Sequence, residues 1–263
     1  MARVFITGSS DGLGRMAALL LIEQGHGVVL HARNERRSEE ALAIVPGAET
    51  VVVGDLASMA QTRRVAEQVN RLGAFDGVIH NAAVGYQEPR RIATEDGLPH
   101  VFAVNTLAPY ILTALIRRPK RLVYLSSSLH QRGDASLEDL TWEQRPWKGT
   151  QAYSDTKLHD VLLAFALARR WSDVLSNALE PGWVPTKMGG PQAPDDLDQG
   201  HRTQVWLVAS DDPAAMVTGE YFFHLRRRTP NAASRDVERQ EELLDACKRL
   251  SGVDLPDGQP ETK

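Results

Sequence analysis

Short β-branched runs alternate with longer amphipathic stretches along most of the chain. Arg3–Thr7, Gly27–His31, Thr50–Val53, Gly77–His80, Arg121–Ser126 and Val174–Leu179 read as strands, with Glu220–His224 as a last one. Helical periodicity predicts helices over 13–24, 58–72, 100–116 and 152–171, and a weaker one over 36–44. Strands spaced by helices of this length build βαβ units and hence a parallel sheet. The unbroken apolar run Val51-Val52-Val53 suits a strand covered on both faces. The expected fold is a doubly wound α/β sheet with helices on both sides.

Two segments break the alternation. Residues 129–150 carry Gly133, Trp142, Pro146, Trp147 and Gly149, and residues 183–200 carry Pro185, Gly189, Gly190, Pro191 and Pro194. Connections this long in a compact fold are often functional lids, so both are expected to border a substrate site. The polar stretch 254–263 reads as a frayed tail. The 263 residues suit one domain spanning 1–263, and the net charge of −4 gives no bulk attraction to nucleic acid or an anionic membrane. The single Cys247 excludes an intrachain disulfide and a cysteine-based zinc site. The longest apolar run, Val161 to Ala168, is eight residues, far below the roughly 20 that cross a bilayer. No signal-peptide pattern opens the chain, so the cytoplasm is the expected location.

The chemistry starts at Thr7-Gly8-Ser9-Ser10-Asp11-Gly12-Leu13-Gly14, between the first strand and the first helix. Glycines there permit a tight turn and close approach of backbone to a pyrophosphate, which the helix N-terminus attracts. That places the fold among Rossmann-type dinucleotide binders, although a strand–glycine–helix turn can also be purely structural. Arg33 follows the second strand, where an acidic residue would hold the ribose 2′-hydroxyl of NAD and a cation suits a 2′-phosphate. NADP(H) is therefore favoured over NAD(H), against the alternative that Arg33, Arg36 and Arg37 form an exposed basic loop. Asp55-Leu56 lies where adenine could be contacted, and Asp55 could equally cap the next helix, for which Ser58 is the better candidate.

Tyr153 and Lys157 stand four apart at the start of an apolar-periodic helix and so share a face. A nearby ammonium favours the phenolate and pulls the tyrosine pKa down. Ser126-Ser127-Ser128 ends the fifth strand, at the sheet edge where ligands sit in open α/β folds. Asn105 falls inside a predicted helix, where asparagine is a poor former. The plain alternatives are an ordinary helix surface for the pair and a buried amide on bent backbone for Asn105.

In this order the motifs resemble those of the short-chain dehydrogenase/reductase family over about residues 3–224. Thr7-Gly8-x-x-x-Gly12-x-Gly14 resembles its cofactor turn, with Ser10, Asp11 and Leu13 inside it, and Asp55-Leu56 its adenine contact. His80-Asn81-Ala82-Ala83 resembles its Asn-Asn-Ala-Gly strand end, with His80 and Ala83 as departures. Asn105, Ser127, Tyr153 and Lys157 fall where its catalytic tetrad falls. Pro181-Gly182-x-Val184-x-Thr186 resembles the segment that holds the nicotinamide. Ser126-Ser127-x-x-His130, the 26-residue interval from Ser127 to Tyr153 and Leu158 after Lys157 are most similar to the retinol dehydrogenase and protochlorophyllide reductase branch.

The resemblance implies hydride transfer between a nicotinamide and a carbonyl or alcohol of an apolar small molecule, with Trp142, Trp147 and Trp183 as candidate apolar walls. It implies Tyr153 as acid, Ser127 as carbonyl-orienting group, Lys157 as holder of the ribose, and Asn105 as anchor of a proton-exchanging water. It also implies homo-oligomerisation, unless the insertions block the usual helix faces. A non-catalytic dinucleotide sensor on the same fold stays open, because fold alone does not exclude it. His130, His159 and His201 lack zinc-ligand spacing, and no metal is expected. His159 reads as a helix flank, Arg226-Arg227-Arg228 as a solvated loop, and Cys247 as a buried small side chain beside Leu243, Leu244 and Leu250.

Overall fold

The computed structural model describes residues 1–258. Positions 259–263, the end of the predicted tail, lie outside the described residues. Among the described residues the strands are β1 (Arg3–Ile6), β2 (Gly27–Ala32), β3 (Thr50–Val53), β4 (Gly77–His80), β5 (Arg121–Leu125), β6 (Leu175–Glu180), β7 (Tyr221–Phe223) and β8 (Arg226–Arg227). They form one sheet in the order β3-β2-β1-β4-β5-β6-β7-β8, parallel except for β8, which runs antiparallel to β7. The order reverses between β1 and β4, so the sheet is the doubly wound Rossmann type with its crevice at their carboxyl ends.

Alternating side chains feed two cores. Val4 and Ile6 of β1 face one side and Phe5 the other; Val28 and Leu30 of β2 oppose Val29 in the same way. The first side is covered by α1 (Gly12–Glu23), α2 (Glu35–Ile44) and α7 (Leu197–Ala209). The second is covered by α3 (Met59–Arg71), α5 (Ala108–Leu115), α6 (Gly149–Arg170) and α8 (Val237–Ser251). Asn34 and Ser58 cap α2 and α3 by accepting from the amides of Arg37 and Gln61, so Asp55 is not the cap of α3.

Four features depart from the sequence reading. The helix predicted over 100–116 is α4 (His100–Phe102), a π turn over Ala103–Leu107, then α5. Pro109 has no N–H to give the Asn105 carbonyl four residues back, and the widened turn accommodates that gap. The segment 183–200 ends early, because Asp196 caps α7 at Leu197. Arg226 and Arg227 form a short exposed edge strand rather than a loop. The C-terminal stretch holds α8 and a pinned continuation: the Trp171 indole donates to the Pro256 carbonyl at 3.0 Å, and Arg118 donates to the carbonyls of Asp257 and Gly258. Residues 254–258 therefore lie bonded along the body instead of fraying. Among the described residues no helix is long and apolar enough to cross a membrane.

Candidate active site

The turn after β1 requires its glycines. Gly8 has φ +61°, and a Cβ there would stand 2.8 Å from the Ala82 Cα, so both backbone shape and space exclude a side chain. A Cβ on Gly14 would press on the Asn81 amide and lie 2.7 Å from the Gly8 carbonyl oxygen. Asn81 accounts for that tightness: its Nδ2 donates to the carbonyls of Thr7 and Gly8, both at 3.0 Å. The Thr7 hydroxyl accepts from the amides of Asn81 and Ala82, also at 3.0 Å. Thr7, Asn81 and Ala82 thus brace the turn from β4, with Ala83 leading out of it. Asp11 caps α1 by accepting from Gly12, and the other first-turn N–H groups have no helical partner by construction.

On the adenosine side, Arg33 is exposed at the end of β2. Arg37, one turn on, reaches over the glycine turn to the Ser10 carbonyl and hydroxyl, each at 3.4 Å, and to Asp11 at 3.3 Å. Arg37, expected in an exposed basic loop, thus stands beside the turn together with Arg33. Asp55 accepts from the Ala57 amide at 2.9 Å and Leu56 is buried beside it.

Across the crevice, β5 and α6 bring three predicted groups together. Tyr153 is 7% exposed, with the Lys157 ammonium 5.5 Å from its ring centre and Ser127 beside its hydroxyl. Ser126 donates to the Lys157 carbonyl at 2.6 Å and Ser128 is exposed, whereas Ser127 is half-buried and lies near the phenol. Burial pushes the Tyr153 pKa above the ordinary phenol, although Lys157 and the Ser127 hydrogen bond pull it down. Desolvation outweighs the cation, so the lowering expected from the Tyr153–Lys157 spacing is reversed. Asn105 sits in the π turn apart from Lys157. Its Oδ1 accepts from the Val84 amide at 2.8 Å, and its Nδ2 donates to Val84 O and Thr156 Oγ1.

A neighbour that no motif marks completes the wall. Tyr86 meets Tyr153 edge-on with ring centres 5.8 Å apart. Gly182 has φ +87°, and Asp195 accepts from the following Trp183 amide at 2.6 Å, which folds the 183–196 segment back. Val184 is buried against Gly200, Thr186 accepts from the Gly189 amide at 3.2 Å, and Pro181 opens this segment. Lys187 pairs with Asp11, joining the segment to the glycine turn. In the insertion, Trp142 lines a small cavity with Phe102 and His159 instead of standing over the crevice. Arg145 stacks on it at 3.8 Å and binds Asp134 and Asp155 at 3.1 and 2.8 Å. Trp147 donates to the Glu88 carbonyl at 2.8 Å, so the end of the insertion borders the Tyr86 loop.

The family model described as short chain dehydrogenase matches residues 2–128. The chain is 43% identical to the short-chain dehydrogenase chry4 of Gibberella zeae over 260 residues, covering 97% of this chain and 99% of that one. It belongs to the short-chain dehydrogenase family. It is 48% identical to the uncharacterized oxidoreductase AN7799 of Emericella nidulans over 262 residues, covering 98% and 100% of the two chains. Human retinol dehydrogenase 14 is 35% identical over 295 residues, covering 95% and 86%, which places the chain in the retinol dehydrogenase-like branch. A solved structure of an uncharacterized Mycobacterium Paratuberculosis protein superposes with TM-score 0.84 at 26% identity, over 97% of this chain and 95% of that one. The chain is thus an oxidoreductase with a nucleotide-binding Rossmann fold.

Within this short-chain dehydrogenase, His31 is a support that no local spacing marks. Its Nδ1 accepts from the Gly8 amide at 3.0 Å, and its Nε2 then donates to the Gly54 carbonyl at 2.9 Å. His80, a departure from the family motif, bonds Thr113 at 2.9 Å and stacks on Tyr124. His159, expected on a helix flank, is 2% exposed and bonds Thr106 at 3.1 Å. Burial lowers these three to about 4, about 3 and about 3.

Such a histidine binds fewer protons folded than unfolded, so its contribution is complete above about pH 6.5 and is lost as pH falls toward the native value. By pH 4.5 each loses roughly 2–3 kcal/mol. Burial also raises Asp160, to about 6, together with Asp155 and Glu180, which opposes this, while it lowers His26, His130 and His201, which adds to it. Tm is expected to drop by about 10 °C or more between pH 7.5 and 4.5, measured by circular dichroism; a flat profile would contradict the three neutral rings.

Proposed function

We propose that the chain is an NADP(H)-dependent oxidoreductase that transfers a hydride between nicotinamide and the carbonyl or alcohol of an apolar small molecule. The observation that carries the reading is the convergence of Ser127, Tyr153 and Lys157 opposite the glycine turn. The turn fits a dinucleotide because Gly8 and Gly14 leave only backbone where a side chain would stand. Gly12, Leu13 and Gly14 would present N–H groups to the pyrophosphate, Asp55 and Leu56 would border adenine, and Pro181, Gly182, Val184 and Thr186 the nicotinamide. The bound cofactor would supply the hydride at its nicotinamide ring.

The chain's own groups would do the rest. Ser127 would donate a hydrogen bond to the carbonyl oxygen, strengthening as charge gathers there. Tyr153 would pass its phenol proton to that oxygen, and a pKa held above the ordinary value keeps it protonated for reduction. Lys157 would hold the ribose hydroxyls and limit the cost of phenolate. The Asn105 side chain is already bonded, so a relay water would use its main-chain carbonyl, left without an i+4 donor by Pro109. Tyr86, Trp183 and Met188 give the crevice an aromatic and apolar character that suits an apolar substrate. On the far side of α6, α8 packs on α5 and α6 within one chain and covers that face of the helices.

NADPH and NADH titrated by fluorescence, followed by a ketone and aldehyde panel, test the reading. NADPH is expected to bind more tightly, and at least one apolar carbonyl to oxidise it. Binding without turnover across the panel would favour a sensor. Arg33 and Arg37 flank the expected 2′-phosphate position. Arg37→Glu should weaken NADPH about 10–100-fold with little change for NADH, since one charge-assisted contact is lost and a repulsion gained. Equal loss for both cofactors would remove Arg37 from that role.

A further inference from the structure

Lys157 has a buried counter-ion that no reading of the sequence picked out. One turn along α6, Asp160 places Oδ2 2.8 Å from the Lys157 Nζ, and the Leu125 carbonyl accepts a second N–H at 2.7 Å. Both side chains are 3% exposed. An acid and a base three apart on a helix surface interact weakly. Here α6 is buried on all sides from Ala152 to Leu167, so this pair sits in protein and not in water. In that setting an ammonium without a partner loses its proton, and a carboxylate without one gains it. Two of the three ammonium N–H groups are held, which leaves one for the crevice.

We propose that Asp160 is the positioning residue of this site: it keeps Lys157 charged and holds it so that one N–H remains for the sugar hydroxyls of a bound dinucleotide. The proposal rests on the reading of Lys157 given above. Asp160 acts through Lys157 and has no proton-transfer role of its own. Among the described residues, the titratable groups that face it are Lys157 and Tyr153 on α6, Tyr124 on β5 and Tyr221 on β7. Burial holds all three phenols above the ordinary tyrosine value, so they are neutral at neutral pH and Lys157 is the balancing charge. Burial also works against the Lys157 ammonium, but Asp160 and Tyr153 outweigh it and raise the lysine above its usual value.

The test follows the lysine directly, in the full chain without cofactor. Carbon-13 labelling of lysine Cε, with Lys157→Met to assign the resonance, reports its protonation by NMR. Wild type should keep Lys157 charged beyond the usual lysine range, and Asp160→Asn should lower its midpoint by about two units or more. In the same variant NADPH affinity should be near wild type at pH 6.5 and at least about tenfold weaker at pH 9, while Asp160→Glu restores both properties. A Lys157 midpoint unchanged in Asp160→Asn overturns the proposal.

If Asp160→Asn does not fold, wild type alone decides. The Lys157 resonance should shift with a midpoint near the Asp160 value of about 6, and an invariant signal from pH 5 to 8 overturns the coupling. The two readings fail separately. If Lys157→Met binds NADPH as wild type does while Asp160→Asn still shifts the lysine, the sugar contact is wrong and the Asp160 hold on Lys157 stands. If Lys157→Met loses NADPH and Asp160→Asn changes nothing, only the Asp160 role is wrong.

Discussion

Tyr153→Phe is expected to lower kcat by about 10³-fold or more while NADPH affinity stays within about threefold. Phenylalanine keeps the ring, its edge contact with Tyr86 at 5.8 Å and its burial, and removes only the hydroxyl. The lost group is the one that Ser127 and Lys157 are arranged around. Without it no acid stands ready for the developing alkoxide, and water in a buried crevice is a poor substitute. Steady-state turnover with the best carbonyl of the panel, beside a fluorescence titration of NADPH, separates chemistry from binding. Activity within tenfold of wild type would remove Tyr153 from the reaction. Because burial holds this phenol above its ordinary pKa, carbonyl reduction should be flat through neutral pH and alcohol oxidation should rise with pH.

Gly14→Ala should be as damaging, against what helix propensity predicts. Gly14 lies inside α1, where alanine is intrinsically favoured by about 1 kcal/mol. The added Cβ would press on the Asn81 amide and the Gly8 carbonyl, which are backbone or bonded to backbone and have little room to yield. Displacing Asn81 frees two carbonyls at the turn and opens the seam between β1 and β4. A net destabilisation of about 2–4 kcal/mol is expected from overpacking plus lost hydrogen bonds, with NADPH affinity down about 100-fold. Thermal unfolding and NADPH titration measure the two effects. A stabilised variant would mean that propensity wins and that the turn is looser than its contacts indicate.

Much of the fold was legible because a parallel sheet covered on both faces writes itself as apolar runs between amphipathic helices. β1 to β6 fall within about two residues of the predicted spans. α7 was hidden by the glycines and prolines before it and by its polar exposed face. α8 showed only as Leu243, Leu244, Cys247 and Leu250 at helical spacing. The glycine turn and the Tyr153–Lys157 pair were legible as local spacings. Arg37, Tyr86, His31 and Asp160 were not, because each acts on a residue from another element or depends on burial that spacing does not report.

Periodicity and spacing along the chain specify the strand and helix alternation, the dinucleotide turn and the place of Ser127, Tyr153 and Lys157 in a known order of motifs. The direction of the Tyr153 pKa, the inward packing of Trp142 and the pairing of Lys157 with Asp160 come from the folded chain alone. Local spacing encodes which side chains share a helix face or a turn. Desolvation and long-range packing decide what charge those side chains carry and which partners they meet, and both arise only when the sheet and its helices close around them.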